Sequence, residues 1–547
     1  MTKKMVKNLM LVLTMVVLCF AVSVTASAIE STGSCGENVT YTYNSHTREL
    51  IISGSGPMYN YDHLYVLPNY SPFYRSEIES VIINEGVTTI GDFVFSFCNN
   101  LTSVIIADSV GAIGNWSFNG CQNLSSVDVG SGVTSIGSQA FSFTSYYNNE
   151  DNWEKDVIYI GSCLIGAKKS LSNSYSIKRG TTVIADDAFS GCENLTTIII
   201  PDSVITVGKR SFQSCNHLKN IAIGSGVKTV GDSAFNYCNS LESVVIPNSV
   251  ITIGDEAFSS CNRLKSITIS ESVKNIGNAA FSKCNHLEKI VVNIENMKYS
   301  SENGVLFDKN KETLIQYPAS DQRTSYAMPN SVKTIAESAF FECYYLESLT
   351  LSESLITIEE MSISSCFNLT EIKIPKSVDF IDYGAISNNP FLEKIYVIGN
   401  DTKIESFSLV ANEFAVSNIS RQEFSKKLIS YYETGEALII EEILQYIIYP
   451  EEFIFIGTIY CHSGSTAETY AIENGVDYVL THFYEGEWIY DYDNMIKYRK
   501  CIHCDELETE QLEATENEED ALPKEDFFSK LFAWIEILIA LILSIFK

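Results

Sequence analysis

Positive charge is scarce in this chain, and the usual signatures of catalysis are missing. Of 547 residues, 37 are Lys or Arg against 68 Asp or Glu, a formal charge of −31. A surface of that sign repels phosphate backbones, so nucleic acid is not an expected partner. The chain has no nucleophile elbow, phosphate-binding glycine loop or helical zinc-hydrolase motif. Histidine is limited to seven residues. His217 and His286 occupy equivalent positions of the repeat described below, about three coils or roughly 15 Å apart, and form no dyad. No catalytic residue and no cofactor is expected, and the chain reads as non-enzymatic.

Long apolar runs occur only near the two ends. Lys3, Lys4 and Lys7 precede the run 9–24, and Ala26-Ser27-Ala28 supplies the small residues a signal peptidase reads. Residues 1–28 are therefore expected to be a secretory signal peptide, whose removal leaves a charge of −34. At the other end, residues 505–526 hold eleven acids against Lys524, a composition that stays solvated as a spacer. Residues 527–547 then form a hydrophobic C-terminal helix. Its apolar stretch reaches about 30 Å, enough to cross a bilayer. Glu536 at midplane would cost about 3 kcal/mol, which keeps an interfacial or partner-binding helix as the alternative. Leu522-Pro523 resembles a sortase signal, but Lys524-Glu525-Asp526 lacks the Thr-Gly that is cleaved. Export is expected, with the chain held at the cell surface by this helix or otherwise secreted.

Between the ends, phenylalanine recurs every 23 residues, at Phe95, Phe118 and Phe141 and again at Phe189, Phe212, Phe235, Phe258 and Phe281. Such a period marks a solenoid, each coil burying its apolar side against its neighbours. One copy reads from Leu241 to Asn262. Val244 and Ile246 alternate with Ser243 and Val245, as in a strand with one buried face. Pro247 and Asn248 turn the chain, Val250 and Ile253 form a second side, and Gly254 is expected to permit the next corner through its backbone freedom. Later, Phe340 is followed by Ile363 and Ile386, where loss of ring volume implies looser packing.

Two interruptions break the count, near 143–180 and 293–325. Each holds a hairpin-like piece, one with Val157 to Ile160 and Cys163 to Ile165, the other with Val305 to Phe307 and Thr313 to Gln316. Residues 421–432 and 435–448 read as amphipathic helices.

Of 15 cysteines, nine share one repeat position: Cys98, Cys121, Cys192, Cys215, Cys238, Cys261, Cys284, Cys343 and Cys366. Side chains in a ladder run parallel rather than converge, which favours buried thiols as small apolar fillers. Bridges between coils remain the alternative in an oxidising location.

The repeat resembles that of the BspA-like leucine-rich-repeat family of bacterial surface proteins, with its pattern L-x-S-V-x-I-P-x-S-V-x-x-I-G-x-x-A-F-x-x-C. The likeness covers about residues 35–480. It implies a mainly β, right-handed leucine-rich-repeat solenoid of ~23-residue coils with a β-rich N-terminal cap, a short helical C-terminal insert and a C-terminal hydrophobic helix. The corresponding division is a capping segment at 29–77, a solenoid at 78–409, a helical insert and closing segment at 410–480, and a small His/Cys segment at 481–504. The resemblance also implies adhesion or recognition at a bacterial surface, with an extracellular protein or glycan, host matrix or another microbe, as partner. A rigid spacer or surface-layer scaffold is the competing role.

Two groups of residues are candidate sites. Partner binding points to outward strand positions: Ser103, Ile105, Ser126, Asp128, Thr197, Ile199, Asn220, Ala222, Ser243, Val245, Ser266 and Thr268. Small hydroxyls leave room for a ligand, and apolar members supply local specificity; a plain solvated sheet face is the alternative. Cys501-x-x-Cys504 is half of a tetrahedral zinc site, with His482 as a possible third ligand. Similar tails in the family carry another cysteine after the tryptophan, and 491–495 offers none here, so a local disulfide and free thiols stay open.

Overall fold

The computed structural model describes residues 30–62, 70–405 and parts of 408–480, chiefly 458–461, 465–473 and 476–480. The signal peptide, the His/Cys segment, the acidic spacer, the hydrophobic C-terminal helix and nearly all of 421–446 lie outside the described residues. The fold is mainly β, a solenoid of ~23-residue coils. The chain divides after Ile165 into two compact units.

In the first unit, strands Glu30–Ser34, Val39–Asn44 and Glu49–Gly54 form an antiparallel meander. The third of them pairs in parallel with Ser80–Ile83, and Ser103–Ile106 and Ser126–Val129 extend that ladder in steps of one repeat. A second parallel ladder runs through Gly56–Pro57, Val87–Ile90, Ala112–Ile113 and Ser135–Ile136. The leading segment thus adds a strand to each ladder. Phenylalanine rings stack between them, with centroids 5.3 Å apart for Phe73 and Phe95 and 5.2 Å for Phe95 and Phe118 and for Phe118 and Phe141. The column starts at Phe73, and Tyr41 closes it edge-on at 5.0 Å.

The second unit repeats the plan. Leu195–Ile199 pairs in parallel with Asn173–Ser176 and Asn220–Ala222, and Val244–Val245, Ser266–Ile269 and Lys289–Val292 form the next stretch. Thr206–Val207, Thr229–Val230, Thr252–Ile253 and Asn275–Ile276 make the second side. Inside lie Phe189, Phe212, Phe235, Phe258 and Phe281, stacked at 4.8 to 6.1 Å. The interruption that follows is an antiparallel meander of Tyr299–Glu302, Val305–Asp308 and Thr313–Gln316. Its second turn is tied by Asp308, whose carboxylate accepts from the amides of Glu312 and Thr313. The ring column restarts at Tyr317, stacked 5.1 Å from Phe340. Where Ile363 and Ile386 replace the ring, both are fully buried. Aromatic packing continues one row over, with buried Tyr344 and Phe367 stacked 6.1 Å apart.

The corner carrying the ring has an unusual backbone. Ser233 and Tyr237, flanking Phe235, both have left-handed φ, at 52° and 59°, and flanking residues of other coils repeat this. With this backbone every second amide points at the next coil, while the amides of Ala234 and Asn236 between them donate within their own coil. The amides of Ser233, Phe235 and Tyr237 accordingly donate to the carbonyls of Asp255, Ala257 and Ser259 in the next coil. Each left-handed non-glycine residue costs about 1 kcal/mol, and the row of inter-coil hydrogen bonds holds it in place.

Gly254 serves a different purpose from the one expected. Its φ is not left-handed; instead a Cβ there would sit 2.4 Å from the Asp232 carboxylate and 2.5 Å from the Asp232 amide. The glycine allows coils to approach closely, while ordinary residues turn the corner.

At the far end, Lys394–Val397, Thr458–Cys461 and Tyr478–Leu480 pair in parallel. Helix Thr466–Glu473 packs through Ala467, Tyr470 and Ala471. The reading of 435–448 as helix to its end is corrected: Ile447–Ile448 is a short strand paired antiparallel with Ala415–Val416. Consecutive β-branched side chains favour that extended backbone.

Candidate interaction face

The period-two alternation of each coil turns one set of side chains inward and leaves the other on the sheet surface. In the first unit, Ser103 pairs with Ser126 and Ile105 with Asp128. Ser103 is half-buried, whereas Ile105, Ser126 and Asp128 are exposed. In the second unit, Thr197 stands beside Asn220, Ile199 beside Ala222, and Val245 beside Thr268. Thr197 and Ser266 are half-buried; Ile199, Asn220, Ala222, Ser243, Val245 and Thr268 are exposed. The first unit therefore collects its candidates on one sheet surface, and the second unit spreads its own over two successive three-stranded sheets. Ile105 is 50% exposed and Val245 76%, which matters because neither contributes its apolar area to the core.

Two further members escaped the sequence reading. Ser176 pairs with Ile199 and Val291 with Thr268, and both are exposed. One more 23-residue step in each direction would have found them. Just past Val291, Ile294 and Met297 are 86% and 78% exposed. They belong to a turn pinned by buried Asn296, whose amide donates to the carbonyls of Ser270 and Val273 and whose oxygen accepts from the amides of Lys298 and Tyr299. Their exposure depends on the insertion and not on the repeat, so periodicity carried no signal for them.

The remaining candidates are quickly placed. The Nδ1 atoms of His217 and His286 each share a hydrogen bond with a main-chain carbonyl of the preceding coil, Glu193 and Asn262 respectively. Twelve cysteines are described, all buried and none in a disulfide. In most of the ladder the thiol donates to a phenylalanine carbonyl one coil back, as from Cys121 to Phe95 at 3.0 Å and Cys284 to Phe258 at 3.1 Å. Burial raises the pKa of Cys215, Cys238 and Cys261 well above the ordinary thiol value. His482, Cys501 and Cys504 lie outside the described residues. Among the described residues no group of three His, Cys, Asp or Glu could hold a metal, and no helix is long and apolar enough to cross a membrane.

Comparison with known families gives a match over residues 68–192, 182–303 and 319–439 to the BspA type leucine rich repeat region. The chain belongs to the BspA-type leucine-rich-repeat family. Solved structures similar to this BspA-type chain include a leucine-rich repeat protein from Eubacterium ventriosum, at 22% identity and TM-score 0.28, covering 67% of this chain and 72% of that one. A leucine rich cell surface protein from Faecalibacterium prausnitzii is 22% identical with TM-score 0.33, covering 68% and 89% respectively. The pneumococcal vaccine antigen PcpA is 17% identical with TM-score 0.34, covering 84% and 100%. No curated protein matches the sequence. The BspA-type array accounts for the scaffold, and the outward rows are what distinguishes one coil's surface from the next.

Proposed function

We propose that this BspA-type chain is a non-enzymatic bacterial cell-surface recognition or adhesion protein, exported by residues 1–28 and held at the surface through residues 527–547. It binds an extracellular protein or glycan through the outward sheet rows of its repeats. The observation that carries this reading is the exposure of Ile105, Ile199 and Val245 on ladders whose inward faces are already filled. Core packing does not require apolar side chains there. A regular array that supports variable small and apolar residues is a contact surface in form, and the fold typically serves protein interaction rather than catalysis.

The test is capture by the exported chain on arrays of extracellular proteins and glycans, against a variant carrying Asp at positions 105, 199 and 245. Loss of capture with an unchanged melting temperature is expected. Equal capture by the variant would reject the face, and no ligand for either protein would favour a spacer. Truncation after Leu522 is expected to release the chain from the membrane fraction; unchanged fractionation would defeat the anchor.

A further inference from the structure

Both parallel ladders of the second unit stop at the same place. One sheet ends at Asn275–Ile276 and the other at Lys289–Val292, and the sheets that follow begin at Tyr299–Glu302 and Ser325–Ala327. Elsewhere in the unit a gap in one ladder is spanned by the other. The gap between Ala222 and Val245 is spanned by Thr229–Val230 paired with Thr252–Ile253, and the gap between Ser348–Thr350 and Glu371–Ile374 by Thr357–Ile358 paired with Phe380–Ile381. At the second interruption no strand ladder spans the gap among the described residues.

The other ties between coils stop there as well. Ring stacking runs from Phe189 to Phe281 and resumes from Tyr317 to Phe340, with no ring contact between Phe281 and Tyr317 among the described residues. One coil earlier, the amides of Glu256, Phe258 and Ser260 donate to the carbonyls of Asn278, Ala280 and Ser282. Ala279, Phe281 and Lys283 hold the next set of such positions, with left-handed φ of 50° and 58° at Ala279 and Lys283. Their amides find no acceptor among the described residues. Side chains show the same break. Asn239 and Asn262 donate to the side-chain oxygens of Asn216 and Asn239, each one coil back, whereas the oxygen of Asn285 is buried and unpaired, as is the hydroxyl of Ser282. The buried core that holds Phe340 begins at Val305 and includes none of Phe281, Leu287 and Ile290, all of which are buried.

Separate bonds join the two sides. The amide of Ile290 donates to the carbonyl of Gly304 and the amide of Ser320 to that of Leu287, both at 2.9 Å. The Tyr299 hydroxyl accepts from the amide of Ile276 at 2.8 Å and the Ser301 hydroxyl from that of Val292 at 3.0 Å. The Asn278 amide donates to Glu337 at 3.0 Å, and the Lys283 ammonium lies 5.1 Å from the Phe341 ring centroid. Parting two coils elsewhere in the array breaks a ladder, an amide row and a ring stack together. Parting these two breaks individual bonds and gives water to three amides, a hydroxyl and an amide oxygen that the closed state leaves unpaired, which lowers the cost of opening. We propose that the solenoid opens as a hinge between the coil of Phe281 and the meander that starts at Tyr299, the described residues on either side forming separate cooperative bodies. The hinge gives an otherwise continuous array one place to bend, and it rests on the fold alone, whatever the outward rows contact.

Native-state hydrogen exchange of the full chain through sub-denaturing urea reads the opening directly. The amides of Ile276, Ile290 and Ser320, which bond across the plane, are expected to exchange about 100-fold faster than those of Phe235 and Phe258. Their exchange should quicken together as urea rises, because the opening exposes surface. Tyr299→Phe removes one bond across the plane and keeps the ring, and it should accelerate all three amides by a common factor of about 5, with Phe235 and Phe258 unchanged. Protection of the three equal to that of Phe235 and Phe258 overturns the proposal, since the array then opens only as a whole. Exchange indifferent to urea, or a Tyr299→Phe effect confined to Ile276, overturns it too, since either marks the fraying of single bonds. No ligand enters the measurement, so failed ligand capture by the outward rows leaves the hinge standing.

Discussion

The thiol of Cys238 donates to the main-chain carbonyl of Phe212 at 3.3 Å, and the amide of Cys215 donates to that same oxygen at 3.2 Å. Both lone pairs of the carbonyl are thereby used, one within its own coil and one by the coil stacked on it. The recurring position of cysteine in the repeat is thus a hydrogen-bonding position as well as a small apolar one. Cys238→Ala removes the second donor and leaves a small void, so urea denaturation should show a loss of about 1–2 kcal/mol. The same burial predicts that peptides containing Cys215, Cys238 and Cys261 resist iodoacetamide in the native chain and label only in denaturant; labelling under native conditions would show the column to be open.

Tyr317 gives the opposite case, a polar atom without a use. Its ring stacks on Phe340 at 5.1 Å, and the Arg323 guanidinium lies 5.3 Å from its centroid. Its hydroxyl is buried with no hydrogen-bond partner among the described residues. Tyr317→Phe keeps the stack and removes the unsatisfied group, and should stabilise the chain by about 1 kcal/mol. Tyr317→Ala should cost about 3–5 kcal/mol. A thermal melt that falls with the phenylalanine variant would show that the hydroxyl is satisfied in solution.

Tyr317 also shows where reading the sequence stops. Counting phenylalanines found the column but missed both Tyr317 and Phe73, because what the column requires is a ring and the count followed one residue type at one spacing. The outward rows were legible from period two alone, since Val244 and Val245 must face opposite sides of one strand. The corner was not. Ser233 and Tyr237 take left-handed φ for the sake of hydrogen bonds to the next coil, and neither residue type announces it. Gly254 was noticed for the right reason of being glycine, yet its role comes from the Asp232 backbone stacked against it, a contact between residues one coil apart.

Asp186 links the array to pH. Its carboxylate accepts from the amide of Lys209 in the next coil at 2.7 Å, but burial outweighs that bond and pushes its pKa up to about 6. The folded chain therefore holds a proton that the unfolded chain releases near the ordinary aspartate value of about 3.9. Between those two values stability should fall as pH rises, and this contribution should be flat above and below the window. Asp186→Asn retains the acceptor without the charge. Urea midpoints measured from about pH 4 to pH 7 should lose this part of their slope in the variant; an unaltered slope would place the titration elsewhere.

Asn296 decides whether the second unit presents Ile294 and Met297 at all. Its side chain is fully buried and makes four hydrogen bonds, donating at 2.8 and 3.0 Å and accepting twice at 2.8 Å. Two of its partners are carbonyls of the preceding coil, so the turn is fastened to the ladder rather than merely closed on itself. Asn296→Asp preserves shape but replaces the donating amide with a carboxylate that faces those two carbonyl oxygens, and it should cost about 3 kcal/mol or more. Asn296→Ala leaves the same carbonyls unpaired and should cost about 2–3 kcal/mol. Hydrogen exchange at the amides of Lys298 and Tyr299 should accelerate in both variants while the amides of Phe212 and Phe235 in the ring column stay protected. Equal protection at all four would mean that the turn holds its shape without Asn296.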